Sequence, residues 1–195
     1  MALPENTLSS QPVASPFIGG AALPVRNITD YERGGVAIQD PSKGLNFQTW
    51  RARILNDGKA IVLDAQQVRA STVISGANIT EVSLAFDQNM RPVIAYVEAG
   101  TAKLYWYDSS QNAQVTTTFA GFITPRVSLD DKRPLQQHIS DVIFAYLKNG
   151  NLYHRRQRDR YGTEYLLASN VSSPGLVKIG MSRNFRLQFL LKSPD

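Results

Sequence analysis

Asp141-Val142-Ile143-Phe144-Ala145-Tyr146-Leu147-Lys148 runs into Asn149-Gly150, and Asn151-Leu152-Tyr153-His154-Arg155-Arg156-Gln157 follows. Both flanks are rich in β-branched and aromatic residues, which suit a pleated surface. Asn-Gly is the preferred pair for a two-residue hairpin turn, because both positions need positive φ. The stretch therefore predicts two antiparallel strands closed by a tight turn, and it sets the expectation for the chain around it.

Working outward, the same pattern recurs. Pro92-Val93-Ile94-Ala95-Tyr96-Val97-Glu98 leads through Ala99-Gly100-Thr101-Ala102 into Lys103-Leu104-Tyr105-Trp106-Tyr107-Asp108. Earlier, the alternating run from Phe47 to Leu55 meets Asn56-Asp57-Gly58-Lys59 and then Ala60-Ile61-Val62-Leu63. Asp-Gly between β-like runs is again a hairpin signal. The second and third hairpins look like copies: Ala95-Tyr96-Val97 answers Ala145-Tyr146-Leu147, and Leu104-Tyr105 answers Leu152-Tyr153. Each follows a β-like stretch, Val82–Phe86 in one case and Pro125–Leu129 in the other. The turns near residues 57, 100 and 149 lie 43 and 49 residues apart. Periods of about 40 to 50 residues suggest four-stranded propeller blades. Three blades are too few to close a ring, so the expectation is mainly β: antiparallel hairpins in a propeller-like or sandwich-like arrangement. Further strands are expected at Glu164–Ala168 and Phe185–Leu191, with a turn at Pro174-Gly175. Helix is expected only as a turn or two near Pro134 to Ile139.

The first 45 residues differ. Half of the ten prolines fall here, with Gly19-Gly20, Gly34-Gly35 and Gly44. Proline removes backbone donors and glycine adds freedom, so regular structure is disfavoured. Residues 1–45 read as an extended arm, and residues 46–195 as the β-rich domain. The apolar pieces Phe17-Ile18 and Leu23-Pro24-Val25 suit an arm that orders on a neighbouring subunit. No Lys or Arg precedes Arg26 and no long apolar stretch occurs there. That argues against a secretory signal peptide and against membrane insertion.

An apolar share of 43% permits a packed core. Cysteine is absent, which excludes disulfides and thiolate metal sites. The net charge is +5. Between residues 126 and 160, eight Lys/Arg face four Asp. The run Arg155-Arg156-Gln157-Arg158-Asp159-Arg160-Tyr161 is the most distinctive feature. Its plain reading is a strand end whose charges face solvent or pair with Asp130, Asp131 and Asp159. Its functional reading is a positive surface that contacts DNA or docks an acidic subunit through Arg155, Arg156, Arg158 and Arg160. Tyr105, Trp106 and Tyr107 form a candidate aromatic contact, with Trp106 on the face opposite the two tyrosines. His138 and His154 share no ligand spacing with each other or with a carboxylate. Adjacent Asp130 and Asp131 read as a turn rather than a hydrolase pair, since neighbours on a strand face opposite ways. Asp57, Asp87 and Asp108 compose no calcium loop. Phosphate-loop and dinucleotide fingerprints are missing. No catalytic residue, metal or cofactor is expected.

Several segments carry a resemblance. Leu84-Ala85-Phe86-Asp87-Gln88-Asn89-Met90-Arg91-Pro92, Ile94–Val97 and Tyr105–Asp108 belong to it, as do Pro125–Arg133, Asp141–Leu147 and Asn151–Tyr161. Ile179-Gly180-Met181 and Arg186–Phe189 complete it. Together they resemble a family of tailed-bacteriophage virion structural proteins, over most of the chain from about residue 45. The resemblance implies a tail component such as an adaptor, nozzle-type or fibre-anchoring protein. It also implies assembly in the host cytoplasm and residence in the virion. Its partners would be other virion proteins and copies of itself, with transient contact with phage DNA. Two other readings stand beside it. One is a host-surface module that binds glycan through the aromatic strand. The other is a propeller glycosidase, which lacks the needed acid–base pair.

Overall fold

The computed structural model describes residues 36–39, 47–55, 57–65, 68–87, 91–130, 141–181 and 187–193. Among the described residues there are fourteen strands and no α-helix. The first sheet holds β1 (Val36–Gln39), β2 (Phe47–Leu55), β3 (Ala60–Ala65) and β4 (Val68–Ser75). Next come β5 (Ile79–Phe86), β6 (Pro92–Glu98), β7 (Thr101–Asp108) and β8 (Ala113–Phe119). A third sheet holds β9 (Ile123–Asp130), β10 (Asp141–Lys148), β11 (Asn151–Arg156) and β12 (Tyr165–Ala168). Last is a two-stranded sheet of β13 (Leu176–Met181) and β14 (Leu187–Leu191). Each sheet is a simple meander in which consecutive strands pair antiparallel.

The three expected hairpins are the middle pairs of the three larger sheets. Their turns carry positive φ at both central residues: Asp57 and Gly58, Ala99 and Gly100, Asn149 and Gly150. β10 and β11 pair in the register Lys148↔Asn151 through Ile143↔Arg156, as the two-residue turn dictates. The repeat extends to the tertiary ties. The Gly58 carbonyl accepts the Ile79 N–H at 2.9 Å, and the Gly150 carbonyl accepts the Val171 N–H at 2.7 Å. Gly58 has φ +85°, and a Cβ there would sit 2.9 Å from backbone N and O of Ile79. Gly58→Val is therefore expected to cost well over about 1 kcal/mol, read as a lower urea midpoint, whereas Gly100→Asn should cost less, because Gly100 has open space around it and Asn tolerates its φ of +75° better than other side chains do.

The burial pattern explains why the strands do not alternate evenly. β6 and β10 are buried on both faces. Val93 and Ala95 face one core, shared with Val142, Phe144 and Tyr146. Ile94 and Tyr96 face another, shared with Ala52, Ile61 and Leu63 of the first sheet. Ala145 and Leu147 face a third, with Leu176 and Ile179 of the last sheet. Each sheet thus packs face to face on the next. Outward along a sheet the burial fades, until β12 is exposed at all four residues.

The first strands of neighbouring sheets are laced together. The Val127 N–H reaches Ser83 Oγ at 3.1 Å, and Arg126 pairs with Glu81 at 2.7 Å. Arg126 also donates to the Val177 carbonyl at 2.9 Å, and Thr124 Oγ1 accepts the Leu176 N–H at 2.7 Å. One arginine on β9 therefore ties three consecutive sheets.

Two expectations need correction. Val36–Gln39 lies within the expected arm, yet it forms β1 against β2, because Gly34-Gly35 and Pro41 lie outside that short run. The return strand of the third hairpin ends at Arg156, and Gln157–Asp159 turns into a 3-10 helix closed by Arg160 at φ 51°. Residues 1–35 and the expected helical turn near Pro134 lie outside the described residues.

Candidate functional site

The cationic run sits where β11 ends and the chain turns back toward β12. β11 projects Arg155 and Arg156 to opposite faces, and the 3-10 turn then swings Arg158 and Arg160 to the rim. Every one of the four guanidinium groups meets a partner within the chain. Arg155 donates through Nε to Tyr146 Oη at 2.9 Å and through Nη1 to the Tyr161 and Gly162 carbonyls at 2.7 Å. Its Nη2 pairs with Glu164 at 3.2 Å. Arg156 donates to His154 Nε2 at 3.2 Å and lies over the Tyr165 ring. Arg158 pairs with Asp141 at 2.6 Å, and Arg160 with Asp108 at 2.6 Å. The acceptors expected for the run were Asp130, Asp131 and Asp159. The ion pairs found instead use Asp108, Asp141 and Glu164, because sheet packing brings distant strand ends to this corner. Asp131 lies outside the described residues.

These pairs shape the electrostatics. The Arg160 guanidinium, with hydrogen bonds from Ser110 and Gln111, holds the Asp108 carboxyl well below the usual carboxylate range. Asp108 is 1% exposed and caps its own turn through the Ser110 N–H at 2.9 Å. Burial works against the Glu164 carboxylate, but hydrogen bonds from Tyr146, Lys148 and Arg155 outweigh it and leave its pKa lowered. Burial, followed by the bond to Glu164, pushes the Tyr146 phenol up. Pairing with Asp141 raises Arg158 further. Arg158 and Arg160 keep 54% and 56% of their side chains exposed, so only these two present cationic surface outward.

His154 is buried beneath the stacked Tyr165 ring, 5.0 Å between centroids. Burial, then the Arg156 charge, lowers its pKa from the ordinary 6.5, while Asp130, Asp141 and Asp159 pull the other way. The unfolded chain therefore takes up a proton near pH 6.5 that the folded chain refuses. His154 stability is intact above that pH and is lost as pH falls below it. Urea midpoints should decline from pH 7 toward pH 5, and His154→Gln should flatten that decline. The carboxylate contributions of Glu164 and Asp108 are lost only at lower pH, below their ordinary 4.5 and 3.8.

The aromatic strand alternates as expected, but it makes no three-ring platform. Trp106 is core: it is 4% exposed, donates Nε1–H to Thr117 Oγ1 at 3.0 Å and meets Tyr161 edge-on at 5.1 Å. Tyr105 packs on the core between the first two sheets. Tyr107 is half-buried, with the Arg91 guanidinium 3.4 Å from its ring centre and its hydroxyl on Asn112.

The sequence offers Tyr161 either as a ring for stacking on bases or as core, and it lies in the core. Tyr161 is 2% exposed and fits among Trp106, Phe144 and the neighbouring ring cluster. Tyr146 stacks on Phe122 with centroids 3.6 Å apart. The Asp108-Ser109-Ser110 turn was the one local signal for a capping carboxylate. Among the described residues, no group of three or more His, Asp or Glu could hold a metal ion. No helix among them is long and apolar enough to cross a membrane. His138 lies outside the described residues. Comparison with known protein families, curated proteins and solved structures finds no match.

Proposed function

We propose that this chain is a structural component of a bacteriophage virion, placed in the tail and acting by subunit assembly rather than catalysis. One observation carries the reading: the sheets form an open stack. The second and third sheets are covered on both faces. Among the described residues, the first and last have one sheet neighbour each, and the last holds two strands where the others hold four. Such a stack is a run of propeller-like blades that does not close within one chain, and other subunits can continue it. The tail as the place of assembly rests on the sequence resemblance. The internally paired arginines support a structural role for the cationic corner, with Arg158 and Arg160 left to meet an acidic neighbouring subunit.

The test is quantitative mass spectrometry of purified particles. The chain is expected at a fixed, whole-number ratio to a tail protein of known copy number. Its absence from particles, or a variable trace amount, would refute the proposal. The glycan reading loses Trp106 to the core and finds the Tyr107 ring covered by Arg91, which makes it the weaker alternative.

A further inference from the structure

We infer that Asn149 is a self-modifying site: the Gly150 nitrogen displaces its side-chain amide, and the turn between β10 and β11 becomes an isoaspartate or aspartate turn. The inference is independent of the assembly reading above and needs no reactant but water. Eleven asparagines occur in the chain, and Asn149 alone is followed by glycine. Glycine sets no side chain in the path of its own nitrogen. Asn149 and Gly150 are both exposed, and a Cβ placed on Gly150 would meet nothing within 4 Å. A two-residue turn closes on its first and fourth residues, here the ladder pair Lys148 and Asn151. The Gly150 N–H lies outside that closing bond.

The Gly150 nitrogen bonds to Asn149 Cγ while the bond from Cγ to Nδ2 breaks. Nδ2 leaves as ammonia, and the proton shed by Gly150 ends on it through solvent. The product is a cyclic succinimide, which water opens at either carbonyl. Opening at Cγ gives aspartate with the main chain as before. Opening at the main-chain carbonyl gives isoaspartate, in which the chain runs through Cβ and Cγ and is one methylene longer. Both products exchange an amine for a hydroxyl, with no oxidant or reductant.

The first hairpin supplies an internal comparison. Asp57-Gly58 would reach the same succinimide by losing water. There Gly58 is buried, and its carbonyl accepts the Ile79 N–H at 2.9 Å. A Cβ on Gly58 would sit 2.9 Å from the Ile79 backbone. The fold thus shields one turn and leaves the other open.

The consequence falls on the link to the last sheet. The Gly150 carbonyl accepts the Val171 N–H at 2.7 Å, and Asn151 Oδ1 accepts the Asn170 N–H at 3.0 Å. Val171 packs against the core shared by the third and last sheets. An added methylene before Gly150 shifts that carbonyl, so isoaspartate loosens Val171 while aspartate leaves it seated.

The full chain is incubated in mildly alkaline buffer, either folded or in urea. It is then mapped by peptide mass spectrometry and by labelling with an isoaspartate-specific methyltransferase. The folded chain is expected to gain the hydroxyl-for-amine mass and the label at Asn149, with no label at Asp57. Asn149→Gly keeps a residue suited to positive φ and should abolish both signals. In hydrogen exchange, the isoaspartate fraction should lose protection at the Val171 amide, while freshly prepared Asn149→Asp keeps it. Modification in urea but not in the folded chain would overturn the inference, because the turn would then be protective. Label at Asp57 equal to that at Asn149, or no mass gain in either state, would overturn it too. An isoaspartate fraction whose Val171 amide exchanges as before would refute the loosened link.

Discussion

Phe144→Ala should remove about 3–5 kcal/mol of stability, the cost of emptying a fully buried aromatic site. Phe144 is 0% exposed. Its ring lies 5.0 Å from Phe119, 5.2 Å from Tyr146 and 6.2 Å from Tyr161. These rings come from β8, β10 and the turn after β11, so one side chain joins the second and third sheets. For a chain of this size the loss corresponds to a fall in melting temperature of about 6–20 °C. Phe144→Leu should cost markedly less, because it retains most of the volume. Thermal unfolding followed by near-ultraviolet circular dichroism is the measurement, since the signal reports the packed rings directly. Equal losses for Ala and Leu would mean that ring stacking, rather than filled volume, holds the two sheets.

Arg155→Ala should cost about 3 kcal/mol, the lower end for removing one partner of a buried ion pair. Its side chain is 16% exposed and that of Glu164 is 24% exposed, so neither charge is well hydrated. The change leaves Glu164 with Tyr146 and Lys148, and strips the Tyr161 and Gly162 carbonyls of their donor. The segment that leads into β12 then loses its tie to β11 and keeps the bonds of Glu164 to Tyr146 and Lys148 on β10. Arg155→Lys should recover less than half, because an ammonium cannot reproduce the fork that spans four acceptors. A double-mutant cycle with Glu164→Gln, measured by urea unfolding, separates the pair from the carbonyl bonds. If Arg155 were a DNA contact instead, both substitutions would leave stability unchanged and weaken salt-sensitive DNA binding.

The sequence made the centre of each of the three larger sheets legible and the rims obscure. Asn149-Gly150, Ala99-Gly100 and Asp57-Gly58 are local signals, since positive φ is a property of the residues in the turn. The strands they join follow from adjacency alone. β4, β8 and β13 were not foreseen, because they depend on their surroundings. Ala113–Phe119, for example, is a threonine-rich outer strand with one buried residue. Its threonines, Val115 and Phe119 favour a strand, but it lacks the apolar alternation that marks a buried face. The unbroken apolar runs of β6 and β10 did carry the signal for burial on both faces, which is what stacking the sheets in series requires.

The candidate site was legible only as a cluster of like charges. Arg158 finds Asp141 across 17 residues, and Arg160 finds Asp108 across 52. Pairings at that separation depend on which strand ends the sheet packing brings together, and no local pattern encodes them. Trp106 shows the same limit: alternation placed it opposite Tyr105 and Tyr107, but only the neighbouring sheet decides which face is solvent.

The account's central claim is that an open stack of sheets is built to be continued by other copies. Absolute mass by light scattering, measured on the purified full chain across a concentration series, tests it most directly. The account predicts a mass that rises from 21.6 kDa to a defined multiple of it. A mass that stays at 21.6 kDa at every concentration would contradict it.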